Sequence, residues 1–496
     1  MQFSALVNQF ANALIQHGVK KGDRVALMSP NSPQWLIAFY GTLKTGGIIV
    51  QTNPMYVERE LEDLVNDSGA ETIVIYEPLY PKAKAILKRT PLKRIIVFNF
   101  GPSEIVEDES TFIMDNLIKD QPYTSTQVPI DPSCDTALLQ YTGGTTGVSK
   151  GVMLTHSNLI ANAFQTKEYF LPLCEEDTTK EIVMSVLPFF HVYGMTVSMN
   201  LAIALKCAQI ILPRFEPKEI VETVQRLKPT FFPAAPTMYI AINNFPGVEN
   251  YDLTSIKASI SGSAPLPVPA QIEFERLTDS IVVEGYGLSE ASPVTNCNPT
   301  VGKRKMGSIG LPFPNTECKI VDAETGTKKL APEEAGELAV KGPQVMKGYW
   351  NMPEETSKVM KNGWLLTGDI AKMDEEGFFY ILDRKKDMVI ASGFKIYPRE
   401  VEDVLATHPK IRESVAVGVP DPYRGETLKA YIVLKDGVSA NPEEIVDYCR
   451  ERLAAYKVPR MVEIREDLPK TFVGKVLRRI LREEHINKSG NPEQNQ

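Results

Sequence analysis

The sequence predicts an α/β protein built from parallel sheets, followed by a smaller β-rich part and a compact α/β unit towards the C-terminal end. Short apolar strands alternate with amphipathic helices in the first part of the chain, a pattern typical of parallel sheets covered by helices. From about Cys318 onward, short strands separated by turns replace this alternation. A chain of 496 residues is too long for one compact core, so two or more domains are expected.

The opening segment already shows the alternation. A first helix places its apolar residues on one face and is followed by Gly18 as a C-cap; these residues are Leu6, Phe10, Ala13 and Leu14. A strand at Arg24–Met28, a helix around residues 35–43 and a strand at residues 48–50 complete a β-α-β unit. The same alternation is predicted to continue with strands at residues 71–76, 181–187 and 209–212.

The C-terminal part has a different pattern of secondary structure. Short strands at residues 317–321, 337–340 and 378–382 predict a small β-rich subdomain, which the charged run 383–387 interrupts. That run is a hinge between two domains or, equally well on the sequence alone, a surface loop. Beyond it, strands at 388–391, 414–419 and 429–434 alternate with helices near 398–406 and 443–453, and a basic helix starts at Lys475.

Composition narrows the class of protein. A net charge of -8 argues against a general nucleic-acid binder, which needs an excess of Lys and Arg. The 6 cysteines are scattered and are expected to be reduced thiols, and none of the 5 histidines has the spacing of a structural zinc site. The N-terminus has no secretory pattern, and the most apolar window, residues 195–212, reads as a buried helix followed by a strand.

The run from Tyr141 to Gly151 is rich in glycine and hydroxyl side chains and ends in Lys150-Gly151 between two apolar strands. Successive glycines let backbone N–H groups line a concavity that binds anions, and hydroxyls and a lysine add further donors. Polyphosphate is the natural ligand. The spacing differs from a Walker A loop, because Ser149 precedes Lys150 and glycine follows it. The alternative is a hairpin loop whose glycines only serve the turn.

This run resembles the AMP-binding signature of the adenylate-forming superfamily, which includes acyl-CoA synthetases, firefly luciferases and the adenylation domains of peptide synthetases. Further motifs follow in the family's order over nearly the whole chain, and residues 362–402 most resemble bacterial long-chain fatty acid–CoA ligases. The resemblance implies that the run holds the phosphates of ATP through Thr142, Gly143, Gly144, Thr145, Thr146, Gly147 and Lys150.

The resemblance also implies an architecture. A large N-terminal AMP-binding domain, residues 1–383, would consist of two parallel-sheet α/β subdomains and a small distorted β-barrel. Residues 384–387 would be the hinge, with Lys386 as the hinge residue. A small mobile C-terminal α+β domain would span residues 388–486, before a disordered polar tail at 487–496. Relatives carry several dozen residues before the first helix of this chain, so the N-terminal domain is expected to lack that segment.

Three residues are implied to border the acyl group. The segment Leu187-Pro188-Phe189-Phe190-His191 resembles the family stretch beside the acyl pocket, where His191 would lie near the substrate carboxylate. Met195 takes the place of a tryptophan that gates the tunnel in some relatives. Gly262 lies in the stretch 261–265, which resembles one half of the family's adenine-binding strand-loop pair, so it is implied to contact the nucleotide as well as the acyl group. Without the resemblance, a histidine beside aromatic residues reads more readily as a packed core residue.

The nucleotide is implied to lie against two further motifs. The stretch from Glu284 to Glu290 resembles the family's adenine-binding segment, which would contribute Glu284, Gly285, Tyr286, Gly287 and Ser289. Tyr286 offers a stacking face for the flat ring. Glu290 and Thr142 are implied ligands of Mg²⁺, which prefers hard oxygen donors; an ordinary helix-start carboxylate is the alternative for Glu290. Asp369 would bind the ribose hydroxyls and Arg384 would assist, with plain turn residues as the alternative.

The last two motifs concern the small domain. Ser392 and Gly393 lie in a stretch that resembles the one meeting the pantetheine arm of coenzyme A. Lys475 lies in a segment that resembles the family's C-terminal Pro-Lys-Thr-x-x-Gly-Lys, where a cation would stabilise charge that builds on the α-phosphate. Glu290, His191 and Lys475 are therefore the expected catalytic residues; composition alone would make Lys475 one more lysine of a solvated basic helix.

Together these motifs imply an ATP-dependent ligase that converts a long-chain fatty acid to its coenzyme A thioester through an acyl-adenylate, with Mg²⁺ as cofactor. The alternatives are a medium-chain or aryl acid–CoA ligase, a ligase that loads a carrier protein, and a nucleotide binder without catalysis. The expected partners are fatty acid, ATP and coenzyme A, with no nucleic acid and no transmembrane segment. A cytoplasmic location is expected, with contact at the inner face of the membrane and a homodimer left open.

Overall fold

The computed structural model describes residues 2–124, 126–142, 149–391, 394–471 and 476–489. Its strands in chain order are β1 (Arg24–Met28), β2 (Ile48–Thr52), β3 (Thr72–Tyr76), β4 (Arg94–Phe98), β5 (Thr111–Ile113), β6 (Thr136–Thr142), β7 (Lys150–Thr155), β8 (Ile182–Ser185), β9 (Ala208–Ile211), β10 (Ala258–Ser261), β11 (Ile281–Gly287), β12 (Val294–Cys297), β13 (Leu311–Pro312), β14 (Glu317–Val321), β15 (Gly336–Lys341), β16 (Gly348–Tyr349), β17 (Met360–Lys361), β18 (Trp364–Met373), β19 (Phe379–Arg384), β20 (Val389–Ala391), β21 (Phe394–Ile396), β22 (Ile411–Asp421), β23 (Gly425–Leu434) and β24 (Met461–Arg465).

The α-helices complete the element list. They are α1 (Gln2–Gln16), α2 (Pro33–Lys44), α3 (Glu58–Ser68), α4 (Tyr80–Ile86), α5 (Met114–Ile118), α6 (His156–Phe170), α7 (Val192–Gly194), α8 (Leu201–Leu205), α9 (Pro217–Leu227), α10 (Pro236–Asn243), α11 (Val268–Thr278), α12 (Pro353–Val359), α13 (Pro398–Ala406), α14 (Pro442–Arg450) and α15 (Arg478–Ser489). A π-helical stretch, Met195–Asn200, joins α7 to α8.

The first sheet has the strand order β16-β7-β6-β2-β1-β3-β4-β5. Strands β1 to β6 run parallel, whereas β7 turns back against β6 and β16 pairs with β7 at the edge. Its strands are buried on both faces, which explains their continuous apolar sequences. Phe10 of α1 and Trp35 and Phe39 of α2 are fully buried against one face.

The second sheet repeats the parallel arrangement. Strands β8 and β9 pair in parallel, as do β10 and β11, and Phe231 bridges Val183 of one pair to Ala258 of the other. Antiparallel β12 and β13 extend it. Its core includes Phe232, Tyr239 and Phe274, which join the sheet to α10 and α11. The two predicted parallel-sheet subdomains are thus confirmed.

The β-rich part is an antiparallel sheet in the order β14-β15-β18-β17, with β19 added beside β18. Apolar side chains from its strands, among them Ile320, Leu338 and Phe379, form a separate core cluster. Beyond it, β21-β20-β23-β22 form the sheet of the small domain, and β24 lies parallel to β23. Helices α13 and α14 cover one face of this sheet and α15 covers the other.

Local sequence patterns placed most elements correctly. The strand Glu317–Val321 and the helix Pro398–Ala406 match the predicted bounds, and Gly18 adopts the left-handed φ of 83° just after α1. Several boundaries differ from the predicted ones, and two of them concern the predicted hinge and the predicted tail. Arg384, predicted in the hinge, is the last residue of β19, because it pairs in register with Asp369. The final helix continues through Ser489, three residues into the predicted tail, and residues 490–496 lie outside the described part of the chain.

Candidate active site

The glycine-threonine run joins the two strands of an antiparallel hairpin. Thr142 at the end of β6 stands opposite Lys150 at the start of β7, and Tyr141 stands opposite Gly151. The antiparallel pairing of β6 with β7 is compatible with both the hairpin and the phosphate-binding interpretation. Gly143, Gly144, Thr145, Thr146 and Gly147 lie outside the described residues, so their role stays a prediction.

Lys150 is held by groups from a later part of the chain. Its Nζ forms an ion pair with Oε2 of Glu355 at 2.5 Å and lies 5.1 Å from the ring centroid of Tyr349. The hydrogen bond from Lys150, assisted by Lys358, lowers the pKa of Glu355 to about 2. The ammonium of Lys150, at the first residue of β7, is thus paired with Glu355 in the first turn of α12.

Glu290 lies on a short helical turn directly after β11. Its Oε1 accepts a hydrogen bond of 2.8 Å from the hydroxyl of Tyr349, and its backbone oxygen accepts one from Met346 N. Burial raises the pKa of Glu290, while the bond from Tyr349 opposes that rise. The ring of Tyr349 therefore stands between the carboxylate of Glu290 and the ammonium of Lys150.

Asp369 and Tyr286 meet between β18 and β11. The hydroxyl of Tyr286 donates a hydrogen bond to Oδ2 of Asp369, and burial raises the pKa of that carboxyl. Arg384 is the register partner of Asp369 on β19, and its charge acts against the rise. The structure thus brings together the residue predicted to stack on adenine, the residue predicted to bind ribose and the arginine predicted to assist.

The adenine-binding segment itself runs along β11. Gly287 has no space for a side chain, because a Cβ there would lie 2.2 Å from the carbonyl oxygen of Pro293. Gly285 packs against Ile260 of β10, and Ser289 opens the turn that carries Glu290. Glu284 is buried, and desolvation raises its pKa to about 7 although Arg399 of the small domain lies nearby.

Two of the residues implied to border the acyl group, His191 and Gly262, both contact Tyr193. The Tyr193 hydroxyl donates to the backbone oxygen of Ile260 at 2.8 Å, and its ring lies so close to Gly262 that a Cβ there would approach Cζ to 3.0 Å. The Tyr193 N–H donates to Nδ1 of His191, and desolvation lowers the pKa of that histidine to about 4. His191 is therefore neutral, with its proton on Nε2, where it can donate a hydrogen bond to a carboxylate.

Met195 lies in different surroundings. It is fully buried in the core cluster beneath the first sheet, where Gln51 Nε2 approaches its sulfur at 3.3 Å. Tyr193, the neighbour of Gly262, belongs to the core cluster of the second sheet. These contacts place Met195 in a packed core, and its part in an acyl pocket stays a prediction.

A cavity of about 280 Å³ opens beside Glu290, between the first sheet and the β-rich part. It is lined by residues of the predicted site and by residues that the sequence did not single out, among them Glu290, Tyr349, Glu337, Lys358, Thr367 and Gly368. Glu337 accepts from the backbone N–H of Gly368 at 3.0 Å, which fixes the turn before Asp369. Glu290 and the segment leading to Asp369 thus face one space.

Four predicted residues remain, namely Lys386, Ser392, Gly393 and Lys475. Lys386 is exposed in the short connection between β19 and β20, and burial of its inner part together with Arg384 lowers its pKa. Ser392, Gly393 and Lys475 lie outside the described residues. The coenzyme A contact and the catalytic cation consequently remain predictions.

The sequence missed Tyr349, Glu355 and Arg399. No local spacing reveals them, because each acts on a residue far away in the chain; Tyr349 and Glu290 are 59 positions apart. The one local signal is Pro353, a proline typical of the first residue of a helix, which predicts that Glu355 lies in the first turn of that helix.

The oxygen donors of Glu290 and Thr142 suit a magnesium ion. Mg²⁺ needs only one or two protein oxygens, since phosphate oxygens and water complete its shell. Within the ranges that the structure describes, no group of three or more His, Cys, Asp or Glu side chains could hold a metal by itself. The oxygens of Glu290 and Thr142 match the one or two protein donors that such an ion takes.

The described residues of the predicted nucleotide site thus come from both parallel sheets and from the β-rich part. The chain matches the AMP-binding enzyme family over residues 1–350 and the AMP-binding enzyme C-terminal domain over residues 400–475. It therefore belongs to the AMP-binding enzyme family, whose substrates include ATP.

Among its relatives, the chain is 49% identical over 488 residues to the long-chain-fatty-acid–CoA ligase of Bacillus subtilis strain 168, covering 94% of this chain and 86% of that protein. It is 41% identical over 501 residues to the long-chain-fatty-acid–CoA ligase of Escherichia coli O6:H1, covering 96% and 87%. The crystal structure of ATP-bound MatB from Rhodopseudomonas palustris matches with a TM-score of 0.88 and 31% identity, covering 97% of this chain and 92% of that one.

Among the described residues, no helix combines the length and the apolar character that crossing a membrane requires. The 6 cysteines have free thiols, which agrees with the prediction of reduced cysteines.

Proposed function

We propose that this enzyme converts a long-chain fatty acid, ATP and coenzyme A to the acyl-CoA thioester, AMP and pyrophosphate. The observation that carries the proposal is the grouping of Glu290, Lys150 and Asp369 around two tyrosines in one domain. The similarity to two long-chain-fatty-acid–CoA ligases over nearly the whole chain supports the choice of acid.

The reaction would proceed in two steps. A carboxylate oxygen of the fatty acid attacks the α-phosphorus of ATP, and the bond to the β-phosphate breaks to release pyrophosphate. The thiol sulfur of coenzyme A then attacks the acyl carbon of the adenylate, loses its proton and releases AMP. No side chain has to form a covalent intermediate, so the protein contributes positioning and electrostatic stabilisation.

Each described residue has a defined part in this proposal. Asp369 would accept hydrogen bonds from the ribose hydroxyls, which compete with the one it now accepts from Tyr286. Lys150 would leave Glu355 for the β- and γ-phosphates. Neutral His191 would donate from Nε2 to the acid carboxylate and hold it against the α-phosphate.

Glu290 and Thr142 would hold Mg²⁺, which when bound supplies positive charge to the phosphate oxygens. Thr142 and Lys150 face each other across the hairpin, so the ion and the lysine would address the same polyphosphate. Lys475 would stabilise the first transition state, and Ser392 with Gly393 would admit the pantetheine arm. We further infer a cytoplasmic location, where both ATP and coenzyme A are available.

The test is pyrophosphate release with saturated acids of increasing chain length and with aryl acids, each with and without coenzyme A. We expect release to be greatest with long-chain acids and the acyl-CoA product to appear only when coenzyme A is present. No release with any acid would exclude the ligase. A maximum with medium-chain or aryl acids would exclude the long-chain assignment, and pyrophosphate release without any coenzyme A thioester would indicate a carrier-protein acceptor.

A further inference from the structure

Two arginines of the small domain cross to the large domain. The backbone N–H of Arg399, at the start of α13, donates to Oδ2 of Asp383 at 2.9 Å, and Nη1 of Arg478 pairs with Oδ1 of the same residue at 3.0 Å. The guanidinium of Arg399 also reaches further, to Oε1 of Glu284 on β11 at 3.9 Å. Asp383 and Glu284 both belong to strands of the large domain.

The contact between Arg399 and Glu284 is well shielded from water. The side chain of Glu284 is 5% exposed and that of Arg399 is 12% exposed. The other oxygen of Glu284, Oε2, is buried without a hydrogen-bond partner in the described structure. A buried carboxylate without a nearby cation costs free energy, so Arg399 of the small domain reduces the cost of burying Glu284 of the large domain.

Among the groups of the described residues that shift the pKa of Glu284, Arg399 is the cation. Apart from Arg399, the groups that influence Glu284 are the distant backbone N–H of Leu266, at 3.5 Å, and the carboxylate of Asp403. Asp403 lies one turn further along α13 and adds negative charge to the same junction. Arg399 is thus the cation between an acidic residue of each domain.

The junction lies on elements that the site uses. Glu284 precedes Tyr286 on β11 by two positions, and Tyr286 donates to Asp369. On the other side, α13 follows β21, which begins immediately after the predicted coenzyme A residues Ser392 and Gly393. In this arrangement the face of the small domain that contains β21 and α13 therefore approaches the nucleotide strand.

We propose that Arg399 is a positioning residue that docks the small domain on the large domain through Glu284, and that this docked arrangement serves thioester formation. The inference rests on the proposed ligase function for its second part only. It assigns Arg399 no contact with the reacting atoms. Its effect on the reaction passes through the position of α13 and β21.

The first test is limited trypsin digestion of the intact protein and of Arg399→Met. Lys385 and Lys386 are exposed in the connection between the domains, so cleavage there reports undocking. Because methionine keeps an unbranched stem and the backbone N–H to Asp383, the change removes only the charged contact. We expect cleavage at these lysines to be about fivefold faster in Arg399→Met. An unchanged rate would overturn the docking role.

A double-mutant cycle separates the contact from general loosening. In the Glu284→Gln background, Arg399→Met should change the cleavage rate by less than about twofold, because the carboxylate that Arg399 compensates is no longer present. Additive effects would contradict a direct Arg399–Glu284 interaction. Arg412→Met is the matched control: Arg412 pairs with Asp436 on the small domain and should leave the rate within about twofold of the original.

The second test measures the two half-reactions of Arg399→Met. We expect conversion of supplied acyl-adenylate to thioester to slow by about tenfold and pyrophosphate exchange to stay within about twofold. Arg399→Lys should recover part of the thioester rate, because it restores the positive charge. Equal losses in both half-reactions would overturn the second part of the inference. The trypsin test needs no substrate. If the protein is inactive with every acid, the proposed function is refuted, but the cleavage rates still test whether Arg399 docks the small domain.

Discussion

Carboxylates in the nucleotide part of the site are held by tyrosines, whereas those between the domains are held by arginines. In the first region, Tyr349 donates to Glu290 and Tyr286 donates to Asp369. In the second, Arg399 faces Glu284, and Asp383 takes hydrogen bonds or ion pairs from both Arg399 and Arg478. Both regions contain enclosed acidic groups, yet their partners differ in charge.

This difference has a physical consequence. A tyrosine hydroxyl supplies a hydrogen bond without a counter-charge, so burial still raises the pKa of Glu290 and Asp369. Such carboxylates gain from a metal ion or from ribose hydroxyls that replace the tyrosine. An arginine supplies a counter-charge from within the protein, although burial still raises the pKa of Glu284 beside Arg399. The arginine contacts therefore favour one arrangement of the domains without any ligand.

The largest effect is expected from Glu290→Gln. The amide keeps the shape and can still accept from Tyr349, but it removes the negative charge available to a cation. Adenylate formation should fall by roughly two to three orders of magnitude, measured by pyrophosphate exchange over a range of Mg²⁺ concentrations. Glu324→Gln is the control, because Glu324 lines the same cavity and is exposed. Comparable losses in both variants would contradict a specific role for Glu290.

The second prediction concerns Arg478 between the domains. Its guanidinium pairs with Asp383 at 3.0 Å, with Asp387 at 3.5 Å and with Glu402 at 2.7 Å. Arg478→Met leaves these three carboxylates without their shared cation, so the small domain should lose about 3 kcal/mol of its free energy of unfolding. Urea unfolding monitors the change. The exposed pair of Arg412 provides the control, and a loss below about 0.5 kcal/mol in Arg478→Met would show that the pairs contribute little.

The third prediction is a pH dependence at Glu284. Desolvation raises its folded-state pKa from the usual value of 4.5 to about 7. The folded protein therefore binds more protons than the unfolded chain in this window, and the contribution of Glu284 to stability falls as the pH rises from about 4.5 to about 7. Glu284→Gln should lack this loss, and relative to the original protein it should gain up to about 3 kcal/mol between pH 5 and pH 8.

Unfolding experiments at several pH values measure that gain. Glu317→Gln serves for comparison, because Glu317 is exposed on the edge of β14. A constant difference between Glu284→Gln and the original protein across this range would show that Glu284 is not desolvated in solution.

The smallest effect is expected from Tyr349→Phe. It removes the hydroxyl that donates to Glu290 and keeps the ring beside Lys150. The KM for MgATP should rise by about fivefold with little change in kcat, because one hydrogen bond that orients the carboxylate is lost. Exposed Tyr123 offers a matched Tyr→Phe control. A fall in kcat without a change in KM would place the tyrosine in the chemical step instead.

The same contrast explains what could be predicted from the sequence. Strand Arg24–Met28 and helix Pro398–Ala406 were found because apolar periodicity and Pro398 are local signals. The positions of Glu290 and Asp369 followed from motif order. Tyr349 and Arg399 could not be found, because their roles depend on contacts between elements distant in the chain.

The predicted boundary at Arg384 was wrong for a related reason. Arg384 belongs to a charged run that reads as a connection, yet pairing with β18 makes it part of a strand. The roles of Gly143 to Gly147, Ser392, Gly393 and Lys475 remain predictions, since they lie outside the described residues.

Strand β19 has a consequence for recombining this protein with its relatives. Successive strand residues point to opposite faces, so Asp383 turns towards the arginines of the small domain while Arg384 turns towards Asp369. Inserting or deleting one residue within β19 would exchange these faces and disrupt both sets of contacts. A crossover point for a chimera should therefore lie before Phe379 or after Met388, so that this strand and its connection come from a single parent.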